Sequence, residues 1–525
     1  MDALTDLSPA ALRPGPRAAR PHAVVIGAGL GGLAAAIRLG ARGYRVTVVD
    51  RLEAPGGRAF THRQDGFTFD AGPTIVTAPF LLEELWSLCG RRMADDIDLR
   101  AVAPFYRIRF DDGETFDYSG DRDAMRAEVT RLSPGDLDGF ERFMAHSAEA
   151  CRIGFEQLGH LPFGRVTDML RVAPALLRLG GFGSVYRLAS RFFRDERLRT
   201  VFSFHPLLIG GNPFTASGLY ALIPALEQRW GVHWPMGGMG RIVDGLADLI
   251  EGQGGTLRCG AEVARITLRD GRATGVRLKS GEHIPAAIVV SNADAAFTYR
   301  HLLPEGTEPR WSHRRADRAR QSMGLFVWYF GTRRQYPEVG HHTILLGPRY
   351  RGLLRDIFTR KVLTEDFSLY LHRPSASDPA MAPPGHDSFY VLSPVPNLSG
   401  GTEWEKEAEP YRRAVAKRLS ETVMPGFESE IVTSRVATPL DFQSRLLATQ
   451  GSGFGLEPVL WQSAWFRPHN RSSGVPNLFL VGAGTHPGAG VPGVISSARV
   501  LDTVVPHADA LRSHVPHVHD ADVLA

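Results

Sequence analysis

The first patterned segment of the chain starts with a short apolar run, Ala23–Ile26, and continues through a glycine-rich turn into the Ala- and Leu-rich stretch Leu33–Leu39. The run predicts a strand buried on both faces, and the stretch after it predicts a helix that stops near Gly43. Tyr44–Val49 alternates β-branched and polar residues, which predicts a second strand ending at Asp50. The same order returns near the C-terminus: an apolar strand over Asn477–Val481, a loop holding Gly482, Gly484, Gly488, Gly490 and Gly493, and a helix from Val494. Between these ends, residues 256–293 read as short alternating strands, with Asp270-Gly271 and Ser280-Gly281 as hairpin turns. "IVVSN" (288–292) reads as a buried strand that rejoins the first ones. "SMGLFVWYFG" (322–331) is apolar on both faces, with Phe326, Trp328 and Phe330 sharing one of them as core. Residues 165–200 read as helices with an apolar face.

Composition bounds this picture. The chain has 525 residues, too many for one core. Its 43% hydrophobic and 22% charged content is that of an ordinary globular protein. A net charge of +4 gives no reason to expect nucleic acid as a partner. Three distant cysteines, Cys89, Cys151 and Cys259, point to a reducing, cytoplasmic setting. Residues 1–22 read as a disordered leader and residues 504–525 as a flexible tail. No run of 18 apolar residues is present, so any membrane association is expected to be peripheral. Eight arginines face three acids within residues 165–200, among Met169, Leu170, Leu176, Leu177, Phe182, Tyr186, Leu188, Phe192 and Phe193. A basic amphipathic patch of this kind fits an anionic bilayer surface.

The chemistry starts at Gly27, Gly29 and Gly32, which fit GxGxxG between a strand and a helix. Gly27 permits the tight turn. Gly29 lets the backbone approach a pyrophosphate at the helix N-terminus, and Gly32 lets helix and strand pack closely. Asp50 ends the second strand, placed to accept a hydrogen bond from a ribose hydroxyl. Arg51 follows it; Gly56-Gly57-Arg58 offers a second backbone approach with a cation, and Asp70-Ala71-Gly72-Pro73 another tight turn. The C-terminal loop has no acidic residue ending a following strand, so it does not form a second dinucleotide site. It is expected to return to the first one, with Gly484, Thr485, Gly493 and Val494 closing on the ligand. The implied fold class is α/β: a Rossmann-like dinucleotide-binding domain (23–90, 230–300 and 465–503), a mixed-sheet substrate domain (91–130 and 301–464) and a helical, membrane-facing lid (131–229).

The N-terminal pattern resembles FAD-binding flavoproteins of the amine oxidase type. "GGRAF", "GFTFDAGPTIVTAP", "FSFHPLLIGGNPF" (202–214), "VVSNADA" (289–295), "SMGLFVWYFGT" (322–332), "DFSLYLHRPS" (366–375), "QSAWFRPHN" (462–470) and "VGAGTHPGAGVPGVISSA" narrow the likeness. They resemble the bacterial phytoene desaturase family of carotenoid biosynthesis, from about residue 23 to about residue 503. The resemblance implies FAD as cofactor and a long polyene, phytoene, as substrate. A hydride would pass to the flavin and a proton would leave the neighbouring carbon, giving neurosporene or lycopene. It also implies that Val263 holds the adenine with main-chain groups. Electrons would leave to a membrane quinone or to dioxygen, because no second GxGxxG unit serves a nicotinamide cofactor.

The sequence declares no proton acceptor. Asp168 and Arg171, at i,i+3 on the basic helix, are candidates for an acid/base pair at the cavity; His205 and His486 are alternatives. His341-His342 has no further ligand nearby in sequence, so no metal site is expected, and the same holds for His514, His517 and His519 in the tail. Other readings stay open at this point. One is a later-step desaturase of hydroxylated or methoxylated intermediates, or a carotenoid isomerase. A non-enzymatic alternative is an isoprenoid-binding escort protein, which would not need an intact dinucleotide motif.

Overall fold

The computed structural model describes residues 20–309, 311 and 313–512. His22–Ile26 forms the central strand of a five-stranded parallel sheet, ordered 478–480, 288–291, 22–26, 45–49, 256–258. Its strands come from three separate stretches of chain. Alternate residues serve opposite faces. Val25, Val46, Val48 and Val290 pack under the helices Leu30–Ala41, Gly240–Gly252 and Val491–Val504. Val24, Ile26, Val49 and Val289 pack against the antiparallel strands Val263–Arg269 and Arg272–Leu278. This two-sided burial is why these strands read as continuous apolar runs.

A second, seven-stranded sheet runs in the order 431–437, 324–332, 387–395, 369–372, 342–345, 106–109, 115–118. It is antiparallel except where 342–345 runs beside 106–109. Phe326, Trp328 and Phe330 are fully buried against the helix Trp404–Thr422, so that face is core. Helices over residues 122–230 cap the space between the two sheets.

Three expectations change. The C-terminal helix starts at Val491, three residues earlier than predicted, because Gly490 (φ 93°) turns the chain and Pro492 fits the first helical turn. The expected tail is docked through residue 512. Val505 and Ala508 are buried, Tyr44 Oη donates to the Pro506 carbonyl (2.9 Å), and the Ala508 N–H donates to Arg42 O (3.1 Å). Residues 513–525, with His514, His517 and His519, lie outside the described residues, as do leader residues 1–19. The basic patch also contracts. Leu188 and Phe193 are buried in the cap's own core and Tyr186 against Phe214, so residues 184–201 present no apolar face to solvent.

Candidate active site

A cavity of ≈ 560 Å³ begins at the carboxyl end of the parallel sheet and runs between the second sheet and the helical cap. In open α/β sheets this end is where ligands bind. Its first part is a backbone cradle. Gly27 adopts φ 95°, which a side chain would strain. A Cβ on Gly32 would lie 2.0 Å from the Gly27 carbonyl oxygen, so the helix approaches the strand end only because this residue is glycine. Asp50 is buried beside the loop, its Oδ2 accepting from the Ala28 N–H (2.6 Å) and its Oδ1 from the Leu52 N–H (2.8 Å). Burial raises its pKa, and these N–H donors oppose the rise.

The two ends of the chain meet here. Gly482 begins the late loop, and a Cβ on Gly31 would lie 3.0 Å from Gly482 Cα. Asn292, at the end of the strand Ile288–Ser291, is wedged between them. A Cβ on Gly29 would meet its Nδ2 at 3.0 Å, and one on Gly482 its Oδ1 at 2.4 Å. Gly27, Gly29, Asp50, Arg51, Gly57, Arg58, Pro73, Val263, Gly493 and Val494 all line the cavity. Arg58 donates from Nε to Gly453 O (2.9 Å), which aims it across the cavity mouth. Arg51 donates to the carbonyls of Ser444 and Arg445, both at 2.7 Å.

Two expected contacts fall behind the wall. Thr485 is fully buried, its Oγ1 donating to Gly482 O (3.2 Å), and a Cβ on Gly484 would meet Ala295. Both brace the loop. Ala483, Ala489 and Gly490 face the cavity instead, because the chain turns at Gly488 and Gly490. Asn292, though inside the stretch VVSNADA, and Arg445 are site residues that no motif spacing singles out.

The acid/base expectation also shifts. Asp168 Oδ2 accepts from the Arg165 N–H (2.9 Å) and closes a capping box at the start of the helix Val166–Arg178. Arg171 is exposed on the same helix. Neither lines the cavity; Met169, Val172 and Leu176, on the other face, do. His486 lines it, but burial pushes its pKa down to about 4, and its Nε2 pairs with the Leu158 carbonyl (3.2 Å). His205 and Glu227 form a closer pair in the cavity wall. Both are about 1% exposed, with His205 Nε2 3.3 Å from Glu227 Oε2. Tyr106 Oη donates to Glu227 Oε1 at 2.8 Å.

A phosphate-approaching glycine turn, a buried carboxylate at the second strand and a late loop folded back upon both define a dinucleotide-dependent flavoprotein site. The residues fit FAD: the cradle has room only for backbone, and Asp50 stands where a ribose hydroxyl would donate. The comparisons agree. Residues 30–500 match the flavin containing amine oxidoreductase family. A phytoene desaturase (neurosporene-forming) of Rhodobacter capsulatus is 50% identical over 93% of this chain and 94% of that protein. A phytoene desaturase (lycopene-forming) of Pseudescherichia vulneris is 49% identical over 92% and 98%. Among solved structures, an oxidoreductase from Methanosarcina mazei superimposes with a TM-score of 0.61 at 19% identity, covering 92% of this chain and 100% of that one. A putrescine oxidase variant gives 0.63 at 14%, covering 94% and 98%; these two likenesses establish the fold. The chain therefore belongs to the bacterial-type phytoene desaturases within the flavin containing amine oxidoreductase family.

Proposed function

We propose that the protein desaturates phytoene with FAD, releasing neurosporene or lycopene, the products named for its relatives at 50% and 49% identity. The observation that carries this reading is the continuity of the nucleotide cradle with an apolar chamber in a single cavity. Leu207, Leu208, Leu325, Leu392 and Met169 line its far part. A polyene offers no hydrogen bonds, so binding rests on shape and on buried apolar area, at roughly 25 cal/mol per Å².

FAD, when bound, supplies the hydride acceptor. The chain's own residues do the remaining work. The N-terminus of Leu30–Ala41 and the glycine cradle would hold the diphosphate, Asp50 would hold the ribose, and Arg51 and Arg58 add positive charge at the cavity wall. The N-terminus of Val491–Val504 directs its positive end at the cavity, where it favours the negative charge that accompanies reduction. Glu227 with His205 is the proton acceptor we assign: it faces the chamber, and Tyr106 fixes the carboxylate's orientation. The apolar walls keep water from the reacting carbons.

The helix Val166–Arg178 supports entry from a bilayer. Its inner face lines the cavity, while Val166, Leu170 and Leu177 are 51%, 68% and 70% exposed, with Phe182 at 59% just beyond. Arg165, Arg171 and Arg187 stand exposed around them. Among the described residues no helix is long and apolar enough to cross a membrane. The reading is therefore peripheral attachment, with a quinone in the same bilayer or dioxygen taking the electrons. The test is incubation of the FAD-loaded protein with phytoene-containing liposomes, followed by product chromatography. A conjugated product is expected; unchanged phytoene in the presence of quinone and oxygen would refute the reading.

A further inference from the structure

Three histidines meet behind the cavity wall, outside the machinery just described. His342 opens the strand His342–Leu345 and pairs directly across the ladder with His372, the last residue of Leu369–His372. His341 precedes His342 and folds over both. The ring centroids lie 4.4, 4.8 and 5.1 Å apart, and one nitrogen from each ring falls within 4.8 Å of the others. All three are buried, at 8%, 1% and 1% exposure.

The hydrogen bonds sort the nitrogens. His342 Nδ1 lies 2.9 Å from the Phe105 carbonyl and His372 Nδ1 3.3 Å from the His341 carbonyl. A carbonyl only accepts, so in His372 the proton sits on Nδ1 and Nε2 carries a bare lone pair, and His342 takes the same form when its proton is held by Phe105. His341 Nδ1 is 2.6 Å from Ser377 Oγ. The three Nε2 atoms have no hydrogen-bond partner, although all are buried. One unsatisfied buried nitrogen is uncommon; three in one cluster need a common explanation. The indole N–H of Trp234, whose ring lies 5.2 Å from His341 and 4.9 Å from His372, is buried without an acceptor as well.

We propose that His341, His342 and His372 bind a transition-metal ion of the zinc or copper class through their Nε2 atoms. Neutral imidazoles whose second nitrogen is hydrogen-bonded to a carbonyl or hydroxyl are the usual state of metal-bound histidine. Three such ligands leave a fourth position for water or hydroxide, toward which Trp234 offers a donor. A tetrahedral ion with metal–nitrogen bonds of ~2.0–2.1 Å needs ligand atoms about 3.4 Å apart, so the rings, one nitrogen of each within 4.8 Å of the others, would have to close onto it. The charged group beside the cluster is Arg373, which Asp387 neutralises at 3.1 Å. The Thr74 backbone carbonyl also approaches His342 as a second acceptor, and the ion would displace that contact. The role is structural. The ion would tie the strands 342–345 and 369–372 to the Phe105 loop and to Trp234 on the short strand His233–Pro235. It stands independently of the desaturase reading.

The rival occupant is a buried water donating to two of the lone pairs. The full chain, FAD-loaded and purified without a polyhistidine tag, is incubated with Zn²⁺ or Cu⁺ and desalted. Metal is then counted by plasma mass spectrometry. About one ion per chain is expected, held by three histidines with water in the fourth position. His342→Gln and His372→Gln should lose it with flavin content unchanged, whereas a triple His514→Ala, His517→Ala, His519→Ala variant should keep it. The ion-bound wild type should also melt at a higher temperature than the chelator-treated protein. Uptake by none of the wild-type samples, or uptake unchanged in both glutamine variants, overturns the proposal. Should a glutamine variant fail to hold flavin, X-ray absorption at the metal edge of the wild type decides: a first shell without three imidazoles overturns it.

Discussion

Asp50 accepts the main-chain N–H bonds of Ala28 and Leu52, so it fixes the turn from which we propose it holds the ribose. Asp50→Ala removes a hydrogen bond to a charged group, worth ~1.5–3 kcal/mol, and FAD affinity should fall roughly ten- to a hundredfold in a flavin titration. Gly29→Val should abolish retention, since even its Cβ meets Asn292 at 3.0 Å. Asp70 behaves differently. It is 2% exposed; its Oδ1 accepts from the Met239 N–H (2.9 Å) and Thr61 Oγ1 (3.1 Å), and its Oδ2 has no partner. Burial pushes its pKa up to about 7, above the ordinary value of ~3.9 in an unfolded chain. The folded state therefore binds this proton more tightly, and the stability it confers is present in full below about pH 4 and is lost as pH rises through about 7. Asp70→Asn should remove that slope. Urea midpoints at pH 5 and pH 8 should converge in the variant relative to the wild type, and equal slopes in both proteins would count against a protonated Asp70.

The helix Val166–Arg178 is apolar on two faces, which a helix at a plain protein surface does not need. The inner face is explained by the cavity; the outer one, with Leu170 and Leu177 about 70% exposed, fits a lipid surface. Leu170→Glu with Leu177→Glu should reduce co-sedimentation with anionic vesicles at least several-fold while leaving FAD content unchanged. Binding that survives the double substitution would place the attachment elsewhere. Sequence periodicity shows only that a helix has apolar residues, and not which neighbour covers them. That is why the pattern does not separate Leu188 and Phe193, enclosed in the cap's core, or Tyr186, packed on Phe214, from the exposed Leu170. Asp168 was ambiguous for a related reason, because a carboxylate three residues into a helix serves as a cap as readily as a base. His205 and Glu227 pair without any spacing rule, and Glu227→Gln should lower turnover by ~10²-fold or more with flavin content intact.

Across the whole molecule, what was legible was local or terminal: the strand–glycine–helix unit, its acidic residue, the hairpins of 263–285 and the late glycine loop. What was not legible depends on sheet pairing. Asn292 touches both glycine turns only because the strand 288–291 lies between 22–26 and 478–480, and His372 meets His342 only through the register of two short strands. The same topology brings Gly29 and Gly482, 453 positions apart, to one cavity, so the proposed cofactor would be held by both. Gly482→Val should then lose FAD as Gly29→Val does, because φ 91° and the Asn292 contact at 2.4 Å both forbid a side chain there. Gly135→Ala, where nothing lies within 4 Å, should keep it. Flavin binding at a hundred times its dissociation constant stabilises the fold by about 2.7 kcal/mol, and that energy acts on every segment holding the ligand. Hydrogen exchange on the wild type separates this from simple misfolding of a variant. Adding FAD should protect the amides of 27–33 and of 482–494 together, at the same FAD concentration. Protection confined to the N-terminal turn would mean that the late loop only packs on the site and takes no part in holding the cofactor.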